Sequence, residues 1–305
     1  ILLGGMAWVG TPEFAAAVSN AGGLGILASG SIPVEELPQA IQRVRDLTDK
    51  PFGVNLIMWE FAMKGKLDII CKEKVEVITT GVSDPKILFP QALKHGVKIL
   101  PVVPSVRHAV RLEAEGATAI IASGCEGGGH VGEISTLPLV PQVVDAVNIP
   151  VIAAGGFGDA RGFTAALAMG ASGIQMGTRF LVAEESPCHP DLKQFIIKSS
   201  IENTVVTGRV TGTPMRAIRN YFTDEWLAKE ELGKSGDDIR RFGAGKIRLG
   251  LIEGDIVNGS LPSGQIAGLI KEIQSVKDII EEIVFGADEV ISQLTHLINK
   301  SEIMK

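Results

Sequence analysis

Eight short, almost wholly apolar runs recur along this chain, each separated from the next by glycine or polar residues and a helical pattern. They are Ile1–Met6, Leu24–Ala28, Phe52–Ile57, Val75–Thr79, Val97–Val103, Ala119–Ala122, Pro150–Ala154 and Gly173–Met176. A parallel strand covered on both faces needs such a run, because neither side of it meets water. Their starts fall roughly 20 to 30 residues apart, the length of one strand–helix unit with tight loops. The intervening stretches carry helix signals. Pro33–Leu37 opens a helix that runs through Ile41 and Val44, with Arg43, Arg45 and Asp46 on its wet side. Ser105 is an N-cap for Val106–Ala114, which stops at Gly116, and Asp159 caps Arg161–Met169, which stops at Gly170. Strands alternating with helices in this way predict an α/β fold, a parallel (β/α)8 TIM-type barrel. A doubly wound open sheet is the alternative, since local patterns do not show closure.

After about Phe180 the rhythm changes. Residues 184–250 are more charged and less periodic. From Ser275 a capping-box pattern, Ser275-x-x-Asp278, precedes an amphipathic run, Ile279–Val284, which Gly286 interrupts before a second run, Val290–Ile298. The expected organisation is a barrel over 1–200 and a smaller, mostly helical cap and C-terminal tail over 201–305, packed on the barrel or on a partner subunit.

Composition removes several function classes. The net charge is −6 and no basic cluster stands out, which argues against nucleic acid as a partner. The uncharged stretch Phe14–Val34 is broken by four glycines, Asn20 and Pro33, so no membrane partner is expected. Three widely spaced cysteines, Cys71, Cys125 and Cys188, offer neither a disulfide framework nor a zinc knuckle. No metal is expected, and a reducing cytoplasm fits. Gly233-Lys234-Ser235 resembles the end of a P-loop, but Ala228 stands where its first glycine belongs. Neither a Gly-x-Ser-x-Gly elbow nor a Gly-x-Gly-x-x-Gly turn after a strand occurs.

In a barrel the chemistry sits where strands end. Those ends read Gly4-Gly5-Met6-Ala7, Gly53-Val54-Asn55, Thr79-Thr80-Gly81, Ser123 through His130, Ala154-Gly155-Gly156 and Gln175-Met176-Gly177-Thr178. Gly155-Gly156, followed by a helix start near Asp159 or Arg161, together with Gly177-Thr178, predicts a phosphate site after strands seven and eight. His130 follows three glycines, so its imidazole can exchange a proton near neutral pH on an uncrowded loop. Cys125 is a candidate nucleophile, although Glu126 beside it disfavours the thiolate. The other histidines, His95, His108, His189 and His296, read as structural.

Several of these segments together resemble a known group. They are Gly4–Val9, Lys50–Asn55, Glu126-x-Gly128-Gly129-His130-x-Gly132, Ile149–Gly156 and Gln175–Phe180. They are similar to the nitronate monooxygenase and enoyl-reductase superfamily. Glu253-Gly254-Asp255-x-x-x-Gly259-Ser260 with Gly264–Leu269 resembles the FMN-dependent enoyl-acyl-carrier-protein reductases of bacterial fatty-acid synthesis more than typical nitronate monooxygenases. Two positions depart from the family pattern: Ser123, where Gln or Glu is usual, and Gly127, where Ala or Ser is usual.

The resemblance implies FMN in the barrel mouth, with NADH or NADPH as co-substrate. Gly5, Met6 and Ala7 would approach the flavin ring, Asn55 and Gln175 would bond its polar parts, and Gly128, Gly156, Gly177 and Thr178 would line the ring or its phosphate. Thr80, Ser123 and Met176 complete the expected cofactor contacts, and His130 matches the family's active-site histidine. The implied partner is acyl carrier protein bearing an enoyl group, and a homodimer is expected. Because the carrier is acidic, a basic patch is expected from Lys193, Lys198, Arg209, Arg216 and Arg219. Rival readings are nitronate oxidation with His130 as base, a Cys125-dependent nucleotide dehydrogenase, and a phosphate-ligand-binding barrel without catalysis.

Overall fold

Parallel pairing joins the eight apolar runs into a ring. The computed structural model describes residues 1–57, 63, 65–81 and 84–303. Its strands are β1 (Leu2–Leu3), β2 (Gly25–Ala28), β3 (Phe52–Ile57), β4 (Val77–Gly81), β5 (Lys98–Val103) and β6 (Ile120–Ser123). After a two-residue strand β7 (Gly129–His130) that belongs elsewhere come β8 (Val151–Ala154) and β9 (Gly173–Met176). Neighbours run β1-β9-β8-β6-β5-β4-β3-β2. A parallel bridge between Leu2 and Leu24 closes the circle, with the Leu3 N–H donating to the Leu24 carbonyl at 3.0 Å. The barrel is therefore observed, and the open sheet is excluded.

Side-chain alternation divides the strands between two cores. Val77, Leu100, Ile121 and Ile152 fill the lumen. Val54, Leu56, Ile78 and Ile174 face outward into a larger core shared with the helices. Helix Pro12–Asn20 starts where the Thr11 side chain accepts the Phe14 N–H, and buried Phe14 meets Phe180 edge to face at 6.4 Å. The uncharged stretch from Phe14 is split between this helix, β2 and a 3-10 turn at Ser29–Ser31. No helix among the described residues is long and apolar enough to cross a membrane.

Helix Val106–Ala114 has its expected bounds, and helix Ala160–Ala168 lies within one residue of its own. Two expectations need correction. The second helix spans Leu37–Leu47 rather than opening at Pro33. Pro38 lacks an N–H and is tolerated only in a first turn, so it sets the start. Gly286 does not interrupt the tail, which is one helix, Val276–Ile303, begun by the Ser275 side chain accepting the Asp278 N–H at 3.1 Å. A Cβ at Gly286 would lie 2.9 Å from the Ala160 Cβ, so the missing side chain lets the tail pack closely on helix Ala160–Ala168. The mostly helical cap also holds two strands that the sequence did not show: β10 (Thr204–Thr207) and β11 (Met215–Ile218) form an antiparallel pair, and β11 also pairs with β7. These strands are too short for periodicity to reveal.

Phe14→Ala should lower unfolding stability by about 3–5 kcal/mol, because it empties a buried position and removes the contact with Phe180. Urea denaturation would measure the loss.

Candidate active site

The loops after the barrel strands meet at one rim. Asn55, near the end of β3, lies opposite Thr79 of β4, and its Nδ2 donates to the Thr79 Oγ1 at 3.0 Å. The Asn55 carbonyl accepts the Ser29 hydroxyl at 2.7 Å, and the buried Lys66 ammonium donates to the Ser29 carbonyl. Burial lowers the Lys66 pKa. Gly5 presses on this group: a Cβ there would stand 2.3 Å from the Asn55 Cγ. Alternation separates two expected contacts from the lumen. Thr80 shares the outward face with Leu56 and Ile78, so Thr79 is the threonine beside Asn55. Met176 likewise points into the helix-side core, and only its carbonyl reaches the rim, accepting the Gly4 N–H at 2.8 Å. Gln175 and Ser123 alternate onto the lumen face with Ala154. Met6 brings its sulfur within 3.6 Å of where a Cβ on Gly177 would be. Ala7 is followed by Trp8, held at φ 68° with its N–H donating to the Ser31 hydroxyl at 3.0 Å and the Arg248 guanidinium over its ring. A tryptophan in the left-handed region is strained, and such strain concentrates at functional sites.

The expected phosphate corner is built by three segments. Gly155 and Gly156 adopt φ of 91° and 85°, which turns the chain sharply after β8. The helix that follows does not offer its amino terminus, since the Asp159 carboxylate accepts the Gly162 N–H at 3.0 Å and pairs with Arg161. The donors left at this corner are glycine backbone groups. The third segment, Ser263–Gln265, was not singled out from the sequence as a rim element. Gly264 N–H donates to the Thr178 Oγ1 at 2.8 Å, and Gln265 N–H donates to the Glu126 carbonyl at 2.9 Å. A Cβ at Gly128 would be 2.6 Å from the Ser263 carbonyl carbon. The Ser263 hydroxyl is fully buried and has no hydrogen-bond partner among the described residues. Next to Thr178, buried Arg179 donates to the Gln274 side chain at the foot of the tail.

The loop that carries His130 is anchored at both ends. The Glu126 carboxylate accepts the Thr136 N–H at 3.0 Å and its hydroxyl at 2.8 Å, placing an anion at the start of helix Thr136–Ala146. The Cys125 carbonyl accepts the Arg216 Nε–H at 2.9 Å. His130 then enters β7 opposite Met215. Its accessible surface opens into a cavity of about 560 Å³ that Ser123 also lines. Enough protein surrounds the ring that burial lowers its pKa below the ordinary 6.5. His108, read as structural, lines the same cavity, and its Nδ1 lies 2.7 Å from the Ser105 hydroxyl, which therefore caps no backbone N–H.

The expected basic patch does not assemble. Lys193 is buried and donates to the carbonyls of Ala183, Glu184 and Ser186, a helix-to-loop tie that removes it from any surface. Arg216 is committed to Cys125 and Thr204. Arg209 pairs with Glu133 and Arg219 with Asp224, while Lys198 borders a separate cavity of about 730 Å³ next to Gly155 and Gly156.

The chain is similar to known proteins along nearly its whole length. The chain matches the nitronate monooxygenase family over residues 1–63 and 57–286. It is 45% identical to FabK from Thermotoga maritima, with a TM-score of 0.94, over 97% of this chain and 94% of that one. It is 35% identical to the (3aS,4S,5R,7aS)-5-hydroxy-7a-methyl-1-oxo-octahydro-1H-indene-4-carboxyl-CoA dehydrogenase of Rhodococcus jostii (strain RHA1), over 95% of this chain and 93% of that protein. The nitroalkane oxidase of Streptomyces ansochromogenes is 28% identical, with a TM-score of 0.86, over 96% of each chain. The chain belongs to the nitronate monooxygenase family, and it is an oxidoreductase.

The adjacent glycines Gly127 and Gly128 should respond in opposite ways. A Cβ at Gly127 meets nothing closer than 3.4 Å and its φ is not left-handed, so Gly127→Ala should stay within about 1 kcal/mol of the parent stability. Gly128→Ala drives a methyl into the Ser263–Gly264 backbone and should cost about 2 kcal/mol or more, read from denaturation midpoints.

Proposed function

We propose that this protein reduces the trans-2-enoyl group carried by acyl carrier protein to the saturated acyl group, with FMN at the rim and NADH or NADPH as donor, in bacterial fatty-acid synthesis. One arrangement carries the reading: His130 and Ser123 face a common cavity, and Ser123 lies against the glycine loops that the Ser263–Gln265 segment ties to Thr178. The likeness to FabK, an enoyl-acyl-carrier-protein reductase, supports it, as does a relative named for a carboxyl-CoA, which is also a pantetheine thioester.

The residues fit a flavin mononucleotide. Gly5 and Gly128 pass without side chains against Asn55 and Ser263, the Gly155–Gly156 turn presents backbone, and the buried Ser263 hydroxyl lacks a partner among the described residues. Asn55, Gln175 and the Gly5–Ala7 backbone would hold the ring, and Gly128, Gly156, Gly177 and Thr178 the phosphate. When bound, FMN supplies hydride transfer from the nicotinamide to the enoyl β-carbon, and a proton drawn from water completes the α-carbon. The chain's own part is positioning and charge stabilisation. The His130 imidazole is neutral at pH 7 and donates an N–H to the thioester carbonyl, where negative charge develops.

The purified protein should be yellow, bleach anaerobically with NADH or NADPH, and regain its colour on adding a crotonyl thioester. A colourless protein, or a bleached one indifferent to the thioester, would overturn the proposal. His130→Ala should keep its flavin and lose about a hundredfold or more in kcat. Because the lowered pKa keeps the ring neutral down to below 6.5, the parent's activity should fall only on the acid side of that value, and this limb should vanish in His130→Ala.

A second reading is nitronate oxidation with His130 as base, favoured by the family match and by a Staphylococcus saprophyticus relative called a probable nitronate monooxygenase. Oxygen-dependent turnover of an alkyl nitronate without consumption of NAD(P)H would establish it.

The proposal includes a homodimer. The tail helix leaves Val284, Ile291, Leu294 and Ile298 exposed along one stripe, at the spacing of a helix face that meets another. Light scattering should give twice the chain mass, and Leu294→Glu should shift it toward the single chain; a parent protein of single-chain mass would refute the dimer.

A further inference from the structure

The cavity beside His130 reaches past the rim to a cationic group that the reaction as proposed leaves unused. Its inner end carries Ser123 and His130, and its outer end carries Arg107, His108 and Arg111 on helix Val106–Ala114, with Asp84 facing them. Arg107 and Arg111 are four residues apart, one helical turn, so both guanidinium groups address the same side. Arg111 is bound to Asp84 and cancels its charge. Arg107 makes no ion pair or hydrogen bond among the described residues, so the mouth holds one surplus positive charge. Between the two ends the walls are apolar, with Val102, Val103, Pro104 and Val131, and no Phe, Tyr or Trp among the described residues lines them.

Resting on the enoyl thioester reading, we infer that this cavity receives the phosphopantetheine arm of the substrate, and that Arg107, with Arg111 behind it, binds the arm's phosphate. A thioester carbonyl placed at His130 leaves the saturated amide chain running along the apolar walls. The anionic group then arrives at a guanidinium that has no ion pair or hydrogen bond among the described residues. A guanidinium suits a phosphate because its N–H groups bond two oxygens at once. The same arm occurs in carrier-protein and coenzyme A thioesters, and the chemistry recognised is common to both.

The test uses the flavin-loaded protein and two crotonyl thioesters, one of 4′-phosphopantetheine and one of pantetheine lacking the phosphate. Arg107→Gln should lower the ratio of kcat/KM between the phosphorylated and unphosphorylated substrates by roughly tenfold or more, through KM rather than kcat, and Arg107→Lys should restore part of it. Crotonyl-coenzyme A and crotonyl carrier protein then separate the two sources. A loss confined to one assigns the subsite to that source, and a loss with both assigns it to the shared arm. An unchanged ratio would overturn the inference, as would a rise in KM for NADH or NADPH alone. If no enoyl thioester is reduced, the functional reading fails by itself. The subsite is then decided by calorimetry with 4′-phosphopantetheine: binding that Arg107→Gln abolishes upholds it, and absent or unaltered binding refutes it.

Discussion

The rim is held together by two hydrogen bonds from a stretch of chain that belongs to no barrel strand. Gly264 and Gln265 donate their N–H groups to Thr178 and to the carbonyl of Glu126. These acceptors lie after β9 and β6, on opposite sides of the turn at Gly155–Gly156. Two loops that the barrel only brings near one another are thus locked by a third segment arriving from far along the sequence. Buried backbone donors must find acceptors, so the lock is enforced by the same requirement that pairs strands. Without it, the glycine loops would have the freedom that glycine gives and no reason to share one arrangement.

The same segment explains why the site contains small residues. Ser263 passes so close to Gly128 that no side chain fits between them. Asn55 lies over Gly5 with equal closeness. Both contacts exchange side-chain bulk for exposed backbone, and backbone N–H groups in a dry concavity suit an anionic, planar ligand. Departure from the family pattern at Gly127 is less consequential than its neighbour would suggest, because a Cβ there meets its surroundings only at ordinary contact distance.

Much of the fold could be read directly, for physical reasons. Parallel strands covered on both faces leave an unbroken apolar trace, and all eight did so, from Leu2–Leu3 to Gly173–Met176. The caps at Asp159 and Ser275 were legible because a short polar side chain must precede an orphaned N–H. What escaped was set by distance along the chain or by direction. The small sheet of β7, β10 and β11 is made of two- and four-residue strands, too short to carry a period. Thr79 and Thr80 are alike in composition, and only the register with Asn55 says which one faces inward. Lys193 looked like surface charge because nothing local reveals the three carbonyls that hold it. The cationic mouth was likewise hidden, since Arg107 and Asp84 meet His130 only after the barrel closes.

Arg179 gives the long tail a reach beyond packing. Its guanidinium, buried directly after Thr178, is fastened to Gln274, whose own amide donates to Glu282 within the last helix at 3.0 Å. One guanidinium nitrogen has no acceptor among the described residues, so this junction has little slack with which to absorb a change. A relay of polar contacts therefore runs from the molecule's outer flank to the corner at Thr178. A substitution at Gln274 would leave the buried guanidinium beside Thr178 short of its acceptor, so a position at the foot of the tail answers to a demand set inside the barrel.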